Sequence, residues 1–344
     1  MKKVAVVILN WNGATMLQRF LPSVVRCSDS RNVEVCVADN GSTDASCRVV
    51  ETEFPTVQLI RLPQNYGFAE GYNRAIVQVE AEYVVLLNSD VEVTEGWLDP
   101  LIEYMEAHPE AAACQPKLLS ERQRDSFEYA GAAGGFIDRY GYPFCRGRLF
   151  EQVEKDMGQY DTVMSVGWAS GAALFVRRRV YEEVGGLDAR FFAHMEEIDL
   201  CWRMHHRGYD IVCVPQSVVY HVGGATLKKE NPRKTYLNFR NNLLMLYKNL
   251  PSERLSSVLR VRTVLDGLAA LVFLLKGEMG NFRAVWQARR DFRQMRPEFV
   301  SDRTDIQQHR VPEKLAECCP FSLLWQCKVM RKKRFAELPP VAKM

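Results

Sequence analysis

The sequence predicts an α/β fold, a mainly parallel sheet with helices on both faces, followed by a helical extension. Three observations predict it. Apolar, β-branched runs alternate with helix-like segments through the first hundred residues. Those runs are continuous, as in strands buried on both faces of a parallel sheet. Acidic residues return at their ends: Asp39 closes VEVCVAD, Asp90 closes YVVLLNSD, and Glu196, Glu197 and Asp199 follow FFAHM. Carboxylates at strand ends lie where open α/β sheets bind ligands, and they are hard oxygen ligands for a divalent cation and its diphosphate.

Strands are expected over residues 4–9, 33–38, 57–61 and 83–87, with helices over 15–26, 44–53 and 69–80. The turn Asn40-Gly41-Ser42-Thr43-Asp44 ends in helix-capping residue types. A further helix is expected over 96–107. From 111 to 161 glycines alternate with aromatics, which reads as hairpins or an adaptable loop rather than another βα unit. Residues 162–168 and 172–176 are strand-like, 178–184 form a short helix, 199–207 a longer one, and 211–214 and 218–221 two short strands around Pro215. After Pro232 the pattern is helical over 234–248, 255–275 and 283–295, and it becomes irregular from Pro312. Two units follow from this: residues 1–250, and a basic helical extension over 251–344.

At 344 residues, 47% hydrophobic and 25% charged, the chain can bury a large core and is neither low-complexity nor disordered. Charge is uneven: from Pro251 onward 18 Lys and Arg stand against 10 Asp and Glu, a net +8, which leaves −5 for residues 1–250. The extension is thus the part that would meet an anionic partner; no nucleic-acid partner is expected. Ten cysteines, including the adjacent Cys318-Cys319, form no CxxC pair, so neither a zinc site nor a disulfide framework is expected and the compartment reads as the reducing cytoplasm. The apolar runs 4–9 and 267–275 are too short for a signal segment or a bilayer span.

Four motifs carry the chemistry. The first joins Val7-Ile8-Leu9-Asn10-Trp11-Asn12-Gly13 with Ala38-Asp39-Asn40-Gly41-Ser42-Thr43-Asp44, where Asp44 reads as a helix-terminus residue. The second, Asn65-Tyr66-Gly67-Phe68-Ala69-Glu70-Gly71-Tyr72-Asn73-Arg74, has two glycines that let a helix start approach another group; helix starts favour phosphates. It has neither GxGxxG nor GK[ST] spacing. The third is Leu86-Leu87-Asn88-Ser89-Asp90-Val91-Glu92. The fourth is Phe191-Phe192-Ala193-His194-Met195-Glu196-Glu197-Ile198-Asp199-Leu200-Cys201-Trp202-Arg203, in which Asp199 and Arg203 can pair four apart on a helix.

In this order the motifs resemble those of the family-2 inverting glycosyltransferases of GT-A fold, and within them the rhamnosyltransferase-like enzymes of bacterial cell-surface polysaccharide assembly. The resemblance runs from Val4 to about Leu250. It implies an α/β GT-A fold and transfer of a hexose, rhamnose among the candidates, from a nucleoside diphosphate sugar (UDP or dTDP) to a hydroxyl of a saccharide or lipid-linked saccharide. The nucleotide-sugar side would comprise Asn10, Asp39 (on the base), Asn65, Gly67, Asn73, Arg74, Asn88 and Ser89. Asn88 stands where the family's DxD motif has its first Asp, leaving Asp90 as the carboxylate ligand of Mg²⁺ or Mn²⁺, completed by His221 in Val218-Val219-Tyr220-His221-Val222-Gly223-Gly224. Glu197 matches the general base, with Glu196 as runner-up; the family usually has Asp there. Trp168, Ser170 and Gly171 resemble the segment between donor and acceptor sites, Trp168 stacking on a sugar face or sitting in the core. With Asp199 and Arg203 they make the expected acceptor side. Specificity would lie in the loop 118–160.

Two other readings compete: a degenerate, non-catalytic transferase that binds saccharide or scaffolds an assembly, and a sugar-phosphate nucleotidyltransferase, which would want a lysine that Asn10-Trp11-Asn12-Gly13 lacks. The extension reads as a peripheral contact at the cytoplasmic face of the inner membrane, or as a bundle packed on the catalytic unit or a homodimer contact.

Overall fold

A computed structural model describes residues 2–28, 30–223, 231–311 and 319–341; Gly224, Pro312 and Cys318 lie outside them. The apolar runs form β1 (Lys2–Asn10), β2 (Val33–Asn40), β3 (Gln58–Leu62) and β4 (Ala81–Asn88), joined by α1 (Ala14–Cys27), α2 (Ser46–Glu53) and α3 (Gly67–Ile76). β1 pairs in parallel with β2 on one side and β4 on the other, and β2 with β3. Along β1, Val4, Val6 and Ile8 enter the core on one face of the sheet, Ala5 and Val7 the core on the other. Burial on both faces is why these strands lack a polar alternation.

The chain continues through β5 (Val91–Val93), α4 (Asp99–Ala107), β6 (Ala111–Ser120), β7 (Gly135–Ile137), β8 (Pro143–Cys145), β9 (Arg148–Leu149), β10 (Gln152–Val153), β11 (Met164–Ser165), β12 (Ala173–Arg177), α5 (Arg178–Glu183), α6 (Glu196–His206) and β13 (Asp210–His221). The main sheet runs β11-β13-β6-β12-β4-β1-β2-β3, with β5 on β13; β7 to β10 form a small antiparallel sheet.

Three elements differ from expectation. The expected loop from 111 begins with a central strand: β6 pairs in parallel with β13 and antiparallel with β12. It holds Pro116, which cannot donate to a ladder, and the register of β13 slips between Val214 and Val218, opposite Pro116 and Lys117. The two short strands around Pro215 are therefore one strand with an irregularity. The helix expected from Asp199 begins at Glu196, which puts Glu196, Glu197 and Asp199 all in its first turn.

α7 (Pro232–Asn249) ends the first unit, and the extension is α8 (Ser252–Leu275), α9 (Met279–Met295) and α10 (Val300–Gln308). Packing is continuous across residue 250. Leu243 to Leu246, Val258, Phe292 and Phe299 share a core with the sheet. Residues 319–341 return to the small sheet, where Phe335 packs on Phe136 and Phe144.

Asp199 joins these parts. It is 0% exposed. It pairs with Arg203 at 2.9 Å and with Lys248 of α7 at 2.8 Å, and accepts from Asn249 Nδ2 at 2.8 Å. Lys248 also meets Asp188 at 2.7 Å. Arg203 donates to the Gly186 carbonyl at 2.7 Å and to that of Val184. Burial alone would raise the Asp199 carboxyl, but Lys248 and Arg203 hold it below the usual carboxylate range. Asp199 and Arg203, expected on the acceptor side, are therefore core residues with every charge committed. Removing one member of such a buried pair strands the other, at about 3–5 kcal/mol. Lys248→Met is expected to lower unfolding free energy by about 3 kcal/mol in urea titrations; a loss below about 1 kcal/mol, the size of an exposed pair, would refute this role.

Candidate active site

The site lies at the C-terminal ends of β1, β2 and β4. Register places Asn10 opposite Asp39, and Leu9 opposite Asn88. Asp39 is nearly buried; its Oδ1 accepts from Asn10 Nδ2 at 3.2 Å and its Oδ2 from the Ser42 N–H at 3.0 Å. One carboxylate thus both shapes the turn and fixes Asn10. Asn10 Oδ1 is left buried without a hydrogen bond among the described residues. Gly13 leaves it room, since a Cβ there would fall 2.3 Å from that oxygen, with Ser89 Oγ next at 3.9 Å. Asp44 accepts from the Ala14 N–H at 3.1 Å and the Ser46 N–H at 2.9 Å. It serves the N-termini of α1 and α2, as a helix-terminus residue should.

The glycine-rich start of α3 is closed by protein. The Phe192 carbonyl accepts from the Phe68 N–H at 2.7 Å and the Ala69 N–H at 3.3 Å. Gly67, at φ +81°, lies so close to the Phe192 ring that a Cβ would fall 2.5 Å from it. The close approach that the glycines permit is thus to a phenylalanine, and these N–H groups are not open to a phosphate. Asn65 Oδ1 accepts from the Gly67 N–H at 2.8 Å and from Asn40 Nδ2 at 3.2 Å. Asn73 bonds the Leu187 backbone at both ends of its amide, 2.7 and 3.0 Å, and accepts from the Tyr181 hydroxyl at 2.5 Å. Asn73 is thereby committed to the turn before α6, which removes it from the donor side. Arg74 pairs with Glu70 at 2.7 Å and lies over the Tyr66 ring.

Asp90 and His221 meet where β5 runs against β13. His221 Nε2 lies 3.1 Å from Asp90 Oδ1 and 3.4 Å from Asn88 Nδ2. Its Nδ1 is 3.4 Å from Glu128 Oε2, without a formed hydrogen bond. Burial alone would lower the imidazole's pKa, but the charges of Glu128 and Asp90 raise it to about 10. The reciprocal bond to His221 holds the buried Asp90 carboxyl below its usual range. Carboxylate and imidazole are fitting donors for a divalent cation, and the unbonded Nδ1 marks a ring held between two acids. No three such side chains among the described residues converge as a complete cage. Asp90 and His221, both buried, are in direct contact, with Glu128 facing the ring's other nitrogen. Sequence reasoning missed Glu128. Its only signal is an acid within the Gly/Ala stretch after β6, a position that gains meaning once that stretch folds over His221.

Glu196 and Glu197 open α6. Glu196 is buried, Glu197 partly so, and the Oε2 of each lacks a hydrogen bond among the described residues. Burial, then the neighbouring Glu197 charge, push Glu196 well above the carboxylate range; burial raises Glu197 to about 7. Gly171 leaves space beside them: a Cβ there would lie 3.4 Å from the Phe68 ring and 3.6 Å from Glu197 Cβ. The Cys145 thiol feels the charges of both Glu128 and Glu197. The loop into α6 is strained, with φ of 65°, 71° and 72° at Phe192, His194 and Met195. Asn241 of α7 holds it: Nδ2 donates to the carbonyls of Phe191, Ala193 and His194 at 2.9, 2.9 and 2.8 Å. Arg240 adds bonds to the carbonyls of Arg190 and Phe191 at 3.1 Å.

Two more expected acceptor-side residues face inward. Trp168 is 3% exposed, donates from Nε1 to the Phe136 carbonyl at 3.0 Å, and packs so closely on Gly135 that no Cβ would fit there. Ser170 donates from Oγ to the Ala130 carbonyl at 2.8 Å and from its N–H to Gln115 Oε1 at 2.8 Å. Of the five residues expected on that side, Gly171 packs beside Glu197 from another element.

The Glycosyl transferase family 2 model matches residues 5–185. N-acetylglucosaminyl-diphospho-decaprenol L-rhamnosyltransferase of Mycobacterium tuberculosis is 31% identical over 234 residues, covering 63% of this chain and 75% of that protein. The dTDP-rhamnosyl transferase RfbF of Shigella flexneri is 25% identical over 236 residues, 64% of this chain and 72% of its own. Among solved structures, S. aureus TarS 1-349 aligns with a TM-score of 0.56 at 14% identity, over 96% of this chain and 92% of its own. GalNAc-T7 with UDP, GalNAc and Mn²⁺ aligns at 0.56 and 15% identity, over 72% of this chain and 48% of that one. These neighbours show the GT-A fold. Asp39 and Asp90 thus lie within the stretch that the family model matches, in a GT-A fold, and the chain belongs to glycosyl transferase family 2.

Proposed function

We propose that this chain is an inverting, metal-dependent hexosyltransferase that moves a sugar, rhamnose by its relatives' names, from a nucleoside diphosphate to a hydroxyl of a lipid-linked saccharide. One observation carries the reading. A raised carboxylate with no cation beside it among the described residues, Glu197, stands across a glycine gap from the α3 start, at the same sheet edge as the Asp90–His221 pair. A base poised near neutrality suits deprotonation of a hydroxyl at physiological pH.

In the step, the acceptor oxygen attacks the anomeric carbon as its bond to the phosphate oxygen breaks. Glu197 takes the hydroxyl proton, and the leaving electron pair goes to the diphosphate. Asp39 and Asn10 would hold the nucleoside, and Asn10 Oδ1 has an open acceptor for it. Asp90 and His221, with Asn88 and Ser89 beside them, would hold a Mg²⁺ or Mn²⁺, whose charge offsets that growing on the diphosphate. Burial and then the charge of Glu197 raise the Glu196 carboxyl well above its usual range; in this reading Glu196 stays neutral and Glu197 ionises. Reaction in the cytoplasm fits nine cysteines that are free thiols among the described residues.

Transfer from dTDP- or UDP-sugars with Mn²⁺ should fall about 10²- to 10⁴-fold in Glu197→Gln while donor binding by thermal shift persists. Glu196→Gln should cost less. If Glu196→Gln alone abolishes transfer, the two roles are exchanged; no turnover by the unmodified protein over a donor panel would favour a saccharide-binding scaffold.

The activity of the unmodified chain should rise with pH through about 7, because Glu197 accepts a proton only when ionised. A flat profile between pH 5.5 and 8.5 would exclude Glu197 as base. Asp90→Ala should abolish the activity that Mn²⁺ restores after chelation; restoration equal to that of the unmodified chain would remove Asp90 from the metal site.

A further inference from the structure

The extension carries an apolar surface that the fold leaves uncovered. On α8, Val264, Leu268, Leu271 and Leu275 are 62%, 54%, 47% and 78% exposed. Their spacing of four, three and four residues puts them along one side of the helix. Val272 flanks the stripe, and Trp286 of α9 is 58% exposed.

The opposite side of α8 holds the charges. Arg262 and Asp266 are 2% and 0% exposed and pair at 3.1 Å. Arg262 also donates to the Tyr140 carbonyl at 3.0 Å and to Asn242 Oδ1, and Asp266 meets Arg289 of α9 at 2.6 Å. A surface helix ordinarily buries its leucines and exposes its charges; α8 does the reverse. Rotating it to hide the stripe would strand a buried arginine and aspartate, so the network fixes the apolar side outward.

The surroundings name the occupant. Arg260, Lys276, Arg283, Arg290 and Arg293 are exposed on α8 and α9. Arg283 and Arg290 line, with Phe282, Trp286 and Gln287, a surface groove of about 500 Å³. The acids lie elsewhere or are engaged. Asp266 is buried, Glu278 accepts from Asn281, Asp291 accepts from Tyr236 and pairs at 3.3 Å with Arg290, whose side chain stays exposed, and Glu253 meets Arg310 at the start of α8. A second copy of this face would set cations against cations. An anionic bilayer offers an apolar interior for the leucines, an interface for the indole and phosphates for the arginines. No described helix is long and apolar enough to cross a membrane, so the contact is interfacial.

We propose that the α8–α9 face, with Val264, Leu268, Leu271, Leu275 and Trp286 as the inserted side chains and Arg283 and Arg290 on the rim, docks the chain on an anionic lipid surface. This stands independently of the reaction proposed above. The test is sedimentation of the full chain with phosphatidylglycerol–phosphatidylcholine vesicles and with phosphatidylcholine alone. Binding to the anionic vesicles alone is expected, weakening as salt is raised. Leu268→Glu/Leu271→Glu and Arg283→Glu/Arg290→Glu should each weaken it at least about tenfold with unchanged melting temperature. Should the leucine variant unfold, the arginine variant decides, since its side chains are exposed. Absence of binding to anionic vesicles, variants that bind as well as the unmodified chain, or a lipid-free dimer in light scattering that the leucine variant splits would each overturn the proposal.

Discussion

The structure depends on one buried carboxylate. Asp199 has no access to water and is saturated by Arg203, Lys248 and Asn249. Through these partners it fastens α6 to α7 and to the turn at residues 184–188. A lone ion in such a place would be driven neutral; three donors from two helices keep it charged and make it a joint. Glu196 and Glu197 share its helical turn but meet no cation among the described residues, and their carboxyls rise where that of Asp199 falls. The helix N-terminus favours negative charge at all three positions, so the dipole does not separate them. Lys248 of α7 and Arg203 do. One acid is spent on holding the helix and two are left poised at its tip.

The entry to that tip is the other half of the device. Each of Phe192, His194 and Met195 has a backbone conformation that costs on the order of 1–3 kcal/mol. Such a loop persists only when its surroundings over-determine it. The single amide of Asn241 spans three of its carbonyls, and the Phe192 carbonyl and ring cap α3. The loop thereby spaces Glu197 from the α3 start, with Gly171 between them. The helix start is taken by the Phe192 carbonyl and sets this spacing.

Much of this was legible in the sequence where one residue type has one physical use. Continuous Val/Ile/Leu runs gave β1 to β4, and the acids at their ends marked the edge on which Asp39, Asp90 and His221 gather. Legibility failed where a residue's meaning depends on a distant partner. Asp199 and Arg203 resemble site residues until Lys248, 49 positions on, is placed against them. Trp168 turns inward because Gly135 offers a flat wall. Asn73 bonds Leu187, and Glu128 gains a role only when its loop reaches His221. Strand β6 was hidden by Pro116, tolerated because β13 slips its register beside it.

The helical extension is linked to the strained loop before α6, and residues 240–242 of α7 are the connection. Arg240 and Asn241 grip the backbone of residues 190–194. The next residue, Asn242, bonds the Gly141 carbonyl at 2.7 Å and receives Arg262 of α8. Arg262 is paired with Asp266, whose burial turns the leucines of α8 outward. The inverted polarity of α8 and the support of the strained loop therefore share one chain of hydrogen bonds, which runs from the exposed stripe through α7 to the first turn of α6. An apolar surface kept open in this way is no loose end of a tail. The buried charges of Arg262 and Asp266 turn the leucines of α8 outward, and Arg262 braces Asn242 of α7 beside the residue that holds the loop before Glu196 and Glu197.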